Sequence, residues 1–185
     1  MVDPDEQHAL ECLRRSDSRG FDYFFDRLHA PVWAFALRLS RRADVADDVA
    51  QLAWMRLAER APSLAADTQV RSWMLVVVRN IYLSRLRREQ IEQHLGEGFG
   101  RKEIEPPSGP PAAHESVLSH ESIQEIEAAV MALPLKLREP ILLVAVHGLT
   151  PLEAATVLGL RPEALRQRLH RGRDFLRPLL ERKRR

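Results

Sequence analysis

The chain has 185 residues, of which 45% are hydrophobic and 29% charged, and it carries a net charge of +2. This composition excludes a chain that is disordered throughout. The longest apolar runs, at 73–78 and 141–146, have six residues each and are too short for a membrane helix. The single cysteine excludes a disulfide framework. The acidic amino terminus shows no signal peptide, so we expect a cytoplasmic protein with no membrane insertion.

Basic charge is concentrated toward the carboxyl-terminal end. Residues 1–95 carry 14 basic and 14 acidic side chains, residues 96–132 carry 2 and 7, and residues 133–185 carry 12 and 5. A basic end domain on a neutral body suggests a polyanionic partner, most often nucleic acid. A solvated basic surface without a partner is the alternative.

Hydrophobic periodicity predicts helices on both sides of a central linker, and strand signals are almost absent. The amino-terminal half yields helices at about 5–17, 21–39 (with Pro31 as a candidate break), 43–60 and 69–89. The carboxyl-terminal half yields helices at about 120–132, 136–147, 151–158 and 162–177. The predicted fold class is therefore all-α.

The third predicted helix has one acidic face. Spacing of i, i+3, i+4 and i+7 brings four polar residues together on it: Asp44, Asp47, Asp48 and Gln51. Four apolar residues lie roughly opposite and can enter a core: Val45, Ala46, Val49 and Ala53. Taken alone, such a face is ordinarily explained by solubility, and Asp44 also suits the amino end of a helix.

The fourth predicted helix mixes aromatic residues with arginines. Its members are Trp73, Asn80 and Tyr82 among Arg71, Arg79, Arg85, Arg87 and Arg88. Aromatic rings stack on bases while guanidinium groups meet the backbone, so this mixture suits single-stranded nucleic acid. Burial of Trp73 in a helical core explains the same residue equally well.

Between about residues 89 and 121 the helical pattern lapses. Four glycines and four prolines fall in this stretch, and the other residues are mostly polar or acidic. This composition predicts a flexible linker. We place it at residues 94–120, between a domain of residues 1–93 and a domain of residues 121–185.

A helix-turn-helix is the sharpest local signal in the chain. Thr150 and Glu153 have the spacing of a capping box, and Pro151 fits the first helical position between them. The short helix that follows ends at Gly159, which can adopt a left-handed turn, and a second helix starts at Pro162. Two short helices joined by a glycine turn form a helix-turn-helix.

The second helix of this unit has two different sides. Its predicted packing stripe is Leu165, Leu169, Gly172 and Leu176. Its polar half is Arg166, Gln167, His170, Arg171 and Asp174, with Arg168 and Arg173 on the flanks. Arginine pairs with guanine edges, glutamine with adenine edges and flanking arginines with phosphates, whereas a solvated helix without a partner is the alternative. We expect His170 to contact phosphate or solvent, and we expect no metal and no cofactor.

In this order of features the chain resembles the small two-domain bacterial RNA polymerase sigma factors of the extracytoplasmic-function group. The resemblance runs from about His8 to Leu180. Residues 43–51 match the family's most characteristic motif, and residues 70–73, 79–80 and 86–88 match its promoter-melting segment. Residues 148–160 and 169–173 match its helix-turn-helix.

The resemblance implies promoter selection rather than catalysis. It assigns binding of core RNA polymerase to Asp44, Asp47, Asp48 and Gln51. It assigns the minus-ten promoter element to the loop 61–69 and to Arg71, Trp73, Arg79, Asn80, Arg87 and Arg88, where a base flipped from the strand would be captured. It assigns the minus-thirty-five element to Arg161, Arg166, Gln167, Arg168, His170, Arg171 and Arg173. An anti-sigma factor is the further partner that it implies.

The acidic linker would, by the same resemblance, lie in the RNA path of the polymerase, and a solubilising spacer is the alternative. Three positions depart from the family pattern. Leu52 and Ser84 stand where acids are common, and Arg161 stands where a small residue usually begins the recognition helix, at the expense of a good cap.

Three other classes of protein compete with a sigma factor. One of them, a pure interaction adaptor, would lack the arginines of the recognition helix. A helix-turn-helix regulator that does not bind core polymerase would share the last 30 residues but leaves the acidic face unexplained. An enzyme would need a site that the sequence does not show, because its seven histidines are scattered and it has no glycine-rich phosphate loop.

Overall fold

The structure, a computed structural model, describes residues 4–96 and 120–182. The chain divides into two compact units, Met1–Glu105 and Pro106–Arg185, and each is described by itself. Every element in the described ranges is helical, which confirms the predicted all-α fold, and none of these helices is long and apolar enough to span a membrane. Most of the predicted linker at 94–120 lies outside the described residues, so its flexibility and its acidic role stay predictions.

Four helices form the first unit: α1 (Pro4–Arg14), α2 (Ser18–Ser40), α3 (Ala43–Arg60) and α4 (Val70–Gly96). A single 3₁₀ turn, Ala61–Ser63, follows α3. Both ends of α3 agree with the prediction. In contrast, α4 continues past its predicted end at residue 89, because no glycine or proline interrupts the chain before Gly96.

The junction between α1 and α2 differs from the prediction, which ended α1 at residue 17 and began α2 at residue 21. Ser16 adopts a left-handed φ of +60°, and Asp17 then caps α2 by accepting a hydrogen bond from the Arg19 amide at 3.0 Å. The Arg19 side chain also donates to this carboxylate and lowers its pKa to about 2. The cap starts α2 at Ser18.

Pro31 does not break α2, although the sequence marks it as a candidate break. A proline inside a helix removes one backbone hydrogen bond and crowds the preceding turn. Leu28, Val32 and Phe35, on both sides of it, are all buried in the core. Their burial holds the helix continuous from Ser18 to Ser40.

Helix α2 packs against each of the other three helices of the first unit. The largest side chains in this core include Phe24, Phe35 and Met74, none more than 2% exposed. Gly20 lies at the closest approach of α2 to α1, since a Cβ atom there would be 2.2 Å from the Leu13 amide nitrogen. Only glycine allows the two backbones to come this close.

The second unit consists of α5 (His120–Ala132), α6 (Leu135–Ile141), α7 (Pro151–Leu158) and α8 (Pro162–Arg182). The bounds of α5 and α7 agree with the prediction. Helix α8 packs against α5, α6 and α7. It therefore closes the core of this unit.

The prediction of one α-helix over residues 136–147 is wrong in its second half. Residues Leu142–Val146 form a π-helical turn, in which the His147 amide donates to the Leu142 carbonyl at 2.9 Å, five residues back. Pro140 lies just before this turn and cannot donate to the α-helical ladder. The wider turn follows this interruption and leaves Leu142 and Leu143 fully buried side by side.

Gly20→Ala is expected to destabilise the first unit by about 2–3 kcal/mol, because the added methyl group meets backbone atoms that cannot move aside. Gly172→Ala in α8 is the matched comparison. Its methyl group would lie 3.1 Å from Cγ1 of Ile141, which belongs to a side chain that can shift. Urea unfolding measures both variants, and a destabilisation at Gly20 no larger than that at Gly172 would contradict the proposed backbone clash.

Candidate protein-binding and nucleic-acid-binding surfaces

The acidic face predicted on the third helix is present on α3. All four of its predicted residues are exposed: Asp44, Asp47, Asp48 and Gln51. The four apolar residues predicted to face the core are each at most 4% exposed: Val45, Ala46, Val49 and Ala53. The amphipathic pattern of α3 is therefore confirmed, while the role of its acidic face is not tested by burial.

Each carboxylate of this face accepts a hydrogen bond from a different element. Arg42 Nε donates to Asp44 at 3.1 Å, and this guanidinium holds the pKa of the Asp44 carboxyl below its usual range. On α2, the indole Nε1 of Trp33 donates to Asp47 at 2.6 Å. The three acids thus differ in their hydrogen-bond partners. Their common place on one face of α3 did not indicate this difference.

Asp48 is joined to α4 through Arg85. The Arg85 guanidinium donates to Asp48 at 3.0 Å and to Glu89 at 2.9 Å. Arg85 is one of the arginines that suit nucleic acid by their mixture with aromatic residues, but its guanidinium binds two acids of its own unit. Asp44 and Asp48 are consequently offset by cations, whereas the described residues place no cation in an ion pair with Asp47.

An apolar groove borders the acidic face, and sequence analysis missed it. The groove has a volume of about 560 Å³ and lies between α2 and α3. Its lining residues are Phe21, Phe25, His29, Trp33, Asp47, Ala50, Gln51, Trp54, Met55 and Ala58. The ring centroids of Phe25 and Trp54 are 4.9 Å apart, which joins the two helices across its floor.

A signal for this groove was present in the sequence. Phe21, Phe25, His29 and Trp33 follow one another at intervals of four residues, which places them along one side of α2. On α3, Leu52 and Met55 are 46% and 52% exposed beside Gln51. The face is therefore half acidic and half apolar, and protein–protein interfaces likewise combine an apolar centre with a polar rim.

On α4, the structure brings together only part of the set predicted to bind single-stranded DNA. Trp73, Asn80 and Arg87 recur every seven residues, which is close to two helical turns, so they form one stripe. Asn80 and Arg87 are exposed on this stripe. Trp73 is half-buried, so its burial is compatible both with packing in the core and with stacking on a base. Exposed Arg88 flanks this stripe, which we call the α4 stripe.

Arg71 and Arg79 do not share the α4 stripe. Arg71 is exposed in the first turn of α4, and Arg79 is half-buried next to Asn80. At about 100° a residue, Arg79 and Arg88 each lie about a quarter of a turn from Asn80 and Arg87, on opposite flanks of the stripe, whereas Arg71 lies roughly opposite Asn80. The six predicted residues therefore form a stripe of three, two flanking arginines, and Arg71 on another side, rather than one surface.

The predicted helix-turn-helix is present in full. Thr150 and Glu153 form the capping box, with the Thr150 amide donating to the Glu153 carboxylate at 2.7 Å and the Glu153 amide donating to Thr150 Oγ1 at 3.3 Å. Gly159 has a φ of +62°, the left-handed conformation expected of it. This geometry fixes the angle at which α8 leaves α7.

Helix α8 has the two sides that its sequence predicts. Leu165, Leu169 and Gly172 are buried, and Leu176 is half-buried. The residues predicted to contact duplex DNA are exposed with one exception: Arg161, Arg166, Gln167, His170, Arg171 and Arg173 are exposed, and Arg168 is half-buried. An α-helix with such a polar half fits the major groove of B-DNA.

Two residues of this polar half have acidic neighbours within the helix. Arg166 donates to Glu163 at 2.9 Å, and His170 Nδ1 lies 2.7 Å from a carboxylate oxygen of Asp174. No ion pair within the described residues engages Arg171. Across 5–92 and 124–178, no three His, Cys, Asp or Glu side chains come together as a metal site requires.

Two family models match the chain, one on each unit. Sigma-70 region 2 matches residues 24–91, and Sigma-70, region 4 matches residues 123–176. The first match contains α3, the groove and most of α4, whereas the second contains the helix-turn-helix. Together they cover about two thirds of the chain.

Three relatives are described as ECF RNA polymerase sigma factors. The chain is 29% identical over 147 residues to the ECF RNA polymerase sigma factor EcfG of Rhodopseudomonas palustris, covering 80% of this chain and 77% of the relative. It is 30% identical over 157 residues to SigE of Mycolicibacterium smegmatis, covering 83% of this chain and 59% of the relative. It is 24% identical to SigW of Bacillus subtilis over 92% of this chain and 94% of the relative.

Solved structures show the same architecture. The sigma factor RpoE of Bartonella quintana, in complex with the anti-sigma factor NepR, matches with a TM-score of 0.73 and 25% identity, over 87% of this chain and 96% of that chain. CnrH, in complex with the cytosolic domain of CnrY, matches with a TM-score of 0.67 at 20% identity, over 95% and 97% of the two chains. The second match bears on the fold alone.

Proposed function

The chain belongs to the extracytoplasmic-function group of sigma-70 family RNA polymerase sigma factors, and we propose that its two units bind core polymerase and two separate promoter elements. One observation carries this proposal. A half-acidic, half-apolar face and an arginine helix occur in the unit that matches region 2, and a complete helix-turn-helix occurs in the unit that matches region 4. A regulator that acts without polymerase leaves the half-acidic, half-apolar face unexplained.

Core polymerase binds, in this proposal, to the face formed by Asp44, Asp47, Asp48 and Gln51 together with the apolar groove beside it. Asp47 contributes most of the electrostatic attraction, because its partner Trp33 is neutral and leaves its charge uncompensated. Arg42 and Arg85 offset the other two acids in exposed pairs, and such pairs are held only weakly. A basic residue of the polymerase can therefore replace either cation at small cost.

The minus-ten element binds to the α4 stripe and to the loop 61–69 that precedes α4. Trp73 and Asn80 offer a ring and an amide to an unpaired base, while Arg87 and Arg88 neutralise the strand. A flipped base loses a few kcal/mol of stacking, so it needs a site that receives it. Arg79 is a proposed phosphate contact on the flank of the stripe, and Arg71, on another side of the first turn of α4, is the remaining proposed phosphate contact.

The minus-thirty-five element binds to the exposed half of α8 in duplex DNA. Gln167 and Arg171 are the proposed base contacts, since their donors suit adenine and guanine edges. The remaining members of the set are proposed phosphate contacts: Arg161, Arg166, Arg168, His170 and Arg173. The boundaries proposed for these roles are residues 1–93 for core and minus-ten binding and residues 121–185 for minus-thirty-five binding.

We infer that the chain acts in the cytoplasm, as its polymerase partner does, and that it performs no catalysis of its own. A sigma factor of the same architecture, RpoE of Bartonella quintana, has been solved in complex with the anti-sigma factor NepR, which supports control of this chain by such an inhibitor. The acidic linker is proposed to enter the RNA path of the polymerase, where its carboxylates imitate the charge of a transcript.

In vitro transcription with purified core polymerase and a promoter library tests the whole proposal. We expect start-site-specific transcripts only when the protein is present, and core polymerase should be captured by the immobilised protein. Free protein should bind the selected promoter weakly, because neither unit can melt duplex DNA alone. Nanomolar binding of duplex promoter by the free protein at physiological salt, without capture of polymerase, would instead identify a helix-turn-helix regulator.

Asp47→Asn is expected to weaken binding of core polymerase about tenfold, and Asp44→Asn less than about threefold, because only Asp47 presents an unneutralised charge. Asparagine still accepts the Trp33 hydrogen bond, so the comparison isolates the charge. Fluorescence titration of labelled core measures both affinities. Glu6→Gln on α1, a helix outside this face, is the matched charge control and should change nothing; equal effects of the two aspartate substitutions would refute the ranking.

Arg171→Ala is expected to cost about 1–3 kcal/mol of binding at one guanine-containing position of the minus-thirty-five element. The free energy is measured for holoenzyme on the selected promoter and on promoters changed at each position in turn. The effect should disappear when that guanine is replaced. An equal effect on scrambled DNA would assign Arg171 to a phosphate.

A further inference from the structure

A smaller pocket lies between the end of α1 and the 3₁₀ turn that follows α3. It has a volume of about 270 Å³ and is lined by Glu11, Arg14, Arg15 and Pro62. Two guanidinium groups face one carboxylate, so the lining carries a net positive charge. Neither the promoter contacts nor the polymerase face proposed above include any of its three charged residues.

Arg14 carries a buried donor in this pocket. Its Nε atom is inaccessible to solvent, and within the described ranges no acceptor lies within hydrogen-bond distance of it. Arginines near the end of a helix often donate to its last free carbonyl groups. In the described part of the chain neither Arg14 nor Arg15 makes such a bond. Buried donors are almost always paired, so the unpaired Nε marks a guanidinium that no acceptor of its own unit holds. An acceptor from outside the chain can then bind the Nη groups of Arg14, which are not among the buried unpaired atoms.

The position of the pocket indicates which acceptor this is. Pro62 belongs to the loop 61–69, which is proposed to receive the flipped base of the minus-ten element. Residues 65–67 and 69 of that loop are exposed, whereas Leu64 is buried and anchors it. Because Pro62 lines the pocket and also begins this loop, the pocket adjoins the place proposed for that base. The guanidinium group matches a phosphate with two parallel donors.

We propose that Arg14 and Arg15 bind a backbone phosphate of the unpaired promoter strand, beside the base that the loop 61–69 receives. This inference rests on the proposed function, since it needs the minus-ten strand to reach this loop. The two arginines attract the backbone electrostatically, while Trp73 of the α4 stripe offers a ring on which a base can stack. Proteins that bind single strands generally combine these two interactions. The Glu11 carboxylate repels the phosphate, which weakens its binding and keeps that binding reversible.

The test uses reconstituted holoenzyme and a forked DNA whose minus-ten strand is unpaired, taken from the promoter that transcription selects. We expect the double variant Arg14→Gln/Arg15→Gln to bind this DNA about tenfold more weakly than the wild type. The slope of log affinity against log salt should fall by about 0.7, because one phosphate of the strand is no longer neutralised. Glu11→Gln should have the opposite effect and tighten binding, and Arg56→Gln, an exposed charge change on α3, should have none.

A neutral methylphosphonate linkage, placed at each minus-ten position in turn, identifies the phosphate. At one position the neutral linkage should weaken the wild type about as much as the double substitution does, and it should weaken the double variant little further. Additive effects at every position, or wild-type affinity in the double variant, would overturn the proposal. Unfolding curves for each variant show whether it folds, and the single variants replace the double one if it does not.

Binding of core polymerase is measured for the same proteins and separates two failures. An unchanged affinity for core with weaker forked-DNA binding supports the phosphate site. A weaker affinity for core with unchanged DNA binding would assign the two arginines to a polymerase carboxylate and overturn it. If the wild type itself captures no core, the proposed function fails first, and the phosphate site fails with it.

Discussion

Packing of α3 against α2 is the contact on which the surface of the first unit depends. Val49, Ala53 and Leu57 are buried on one side of α3, and a helix turns by about 100° at each residue. With that side buried, the geometry of the helix places Asp47 and Gln51 on its exposed side. The Phe25–Trp54 contact and the Trp33–Asp47 hydrogen bond then join the helices within the lining of the groove. The acidic face, the groove and their alignment are consequences of one packed interface.

Charge on this face is smaller than its composition suggests. Arg42 and Arg85 neutralise Asp44 and Asp48 within the unit, so three carboxylates act at a distance more like one. Both pairs are solvent-exposed, and exposed pairs contribute little to stability because water and salt screen them. They can be exchanged for a partner's cations without unfolding anything. Affinity in such an interface then depends on apolar contact, which the groove offers, and charge mainly sets orientation.

In the second unit, a single helix, α8, likewise has one side that packs in the core and one side that faces outward. Leu165, Leu169 and Gly172 are held against the core, and a Cβ atom at Gly172 would lie 3.1 Å from the Ile141 side chain. The polar half of α8 is thereby turned outward as one rigid surface. Gly159 sets the angle of that surface by a left-handed turn. Side chains that contact a partner from a rigid helix lose less entropy on binding than those from a loop.

Sequence alone determined the helices, their order and the two sides of α3 and α8, because these depend on residues only a few positions apart. Gly159 and the Thr150–Glu153 capping box were predictable for the same reason. Local patterns left the continuity of α2 at Pro31 open, which burial in the core decides, and they missed the π-helical turn that follows Pro140. Only the tertiary structure decided which partner each aspartate has, that Arg85 faces α3, and that α2 and α3 enclose a groove. These features join residues up to 37 positions apart, and a spacing rule along one helix carries no information about its neighbours.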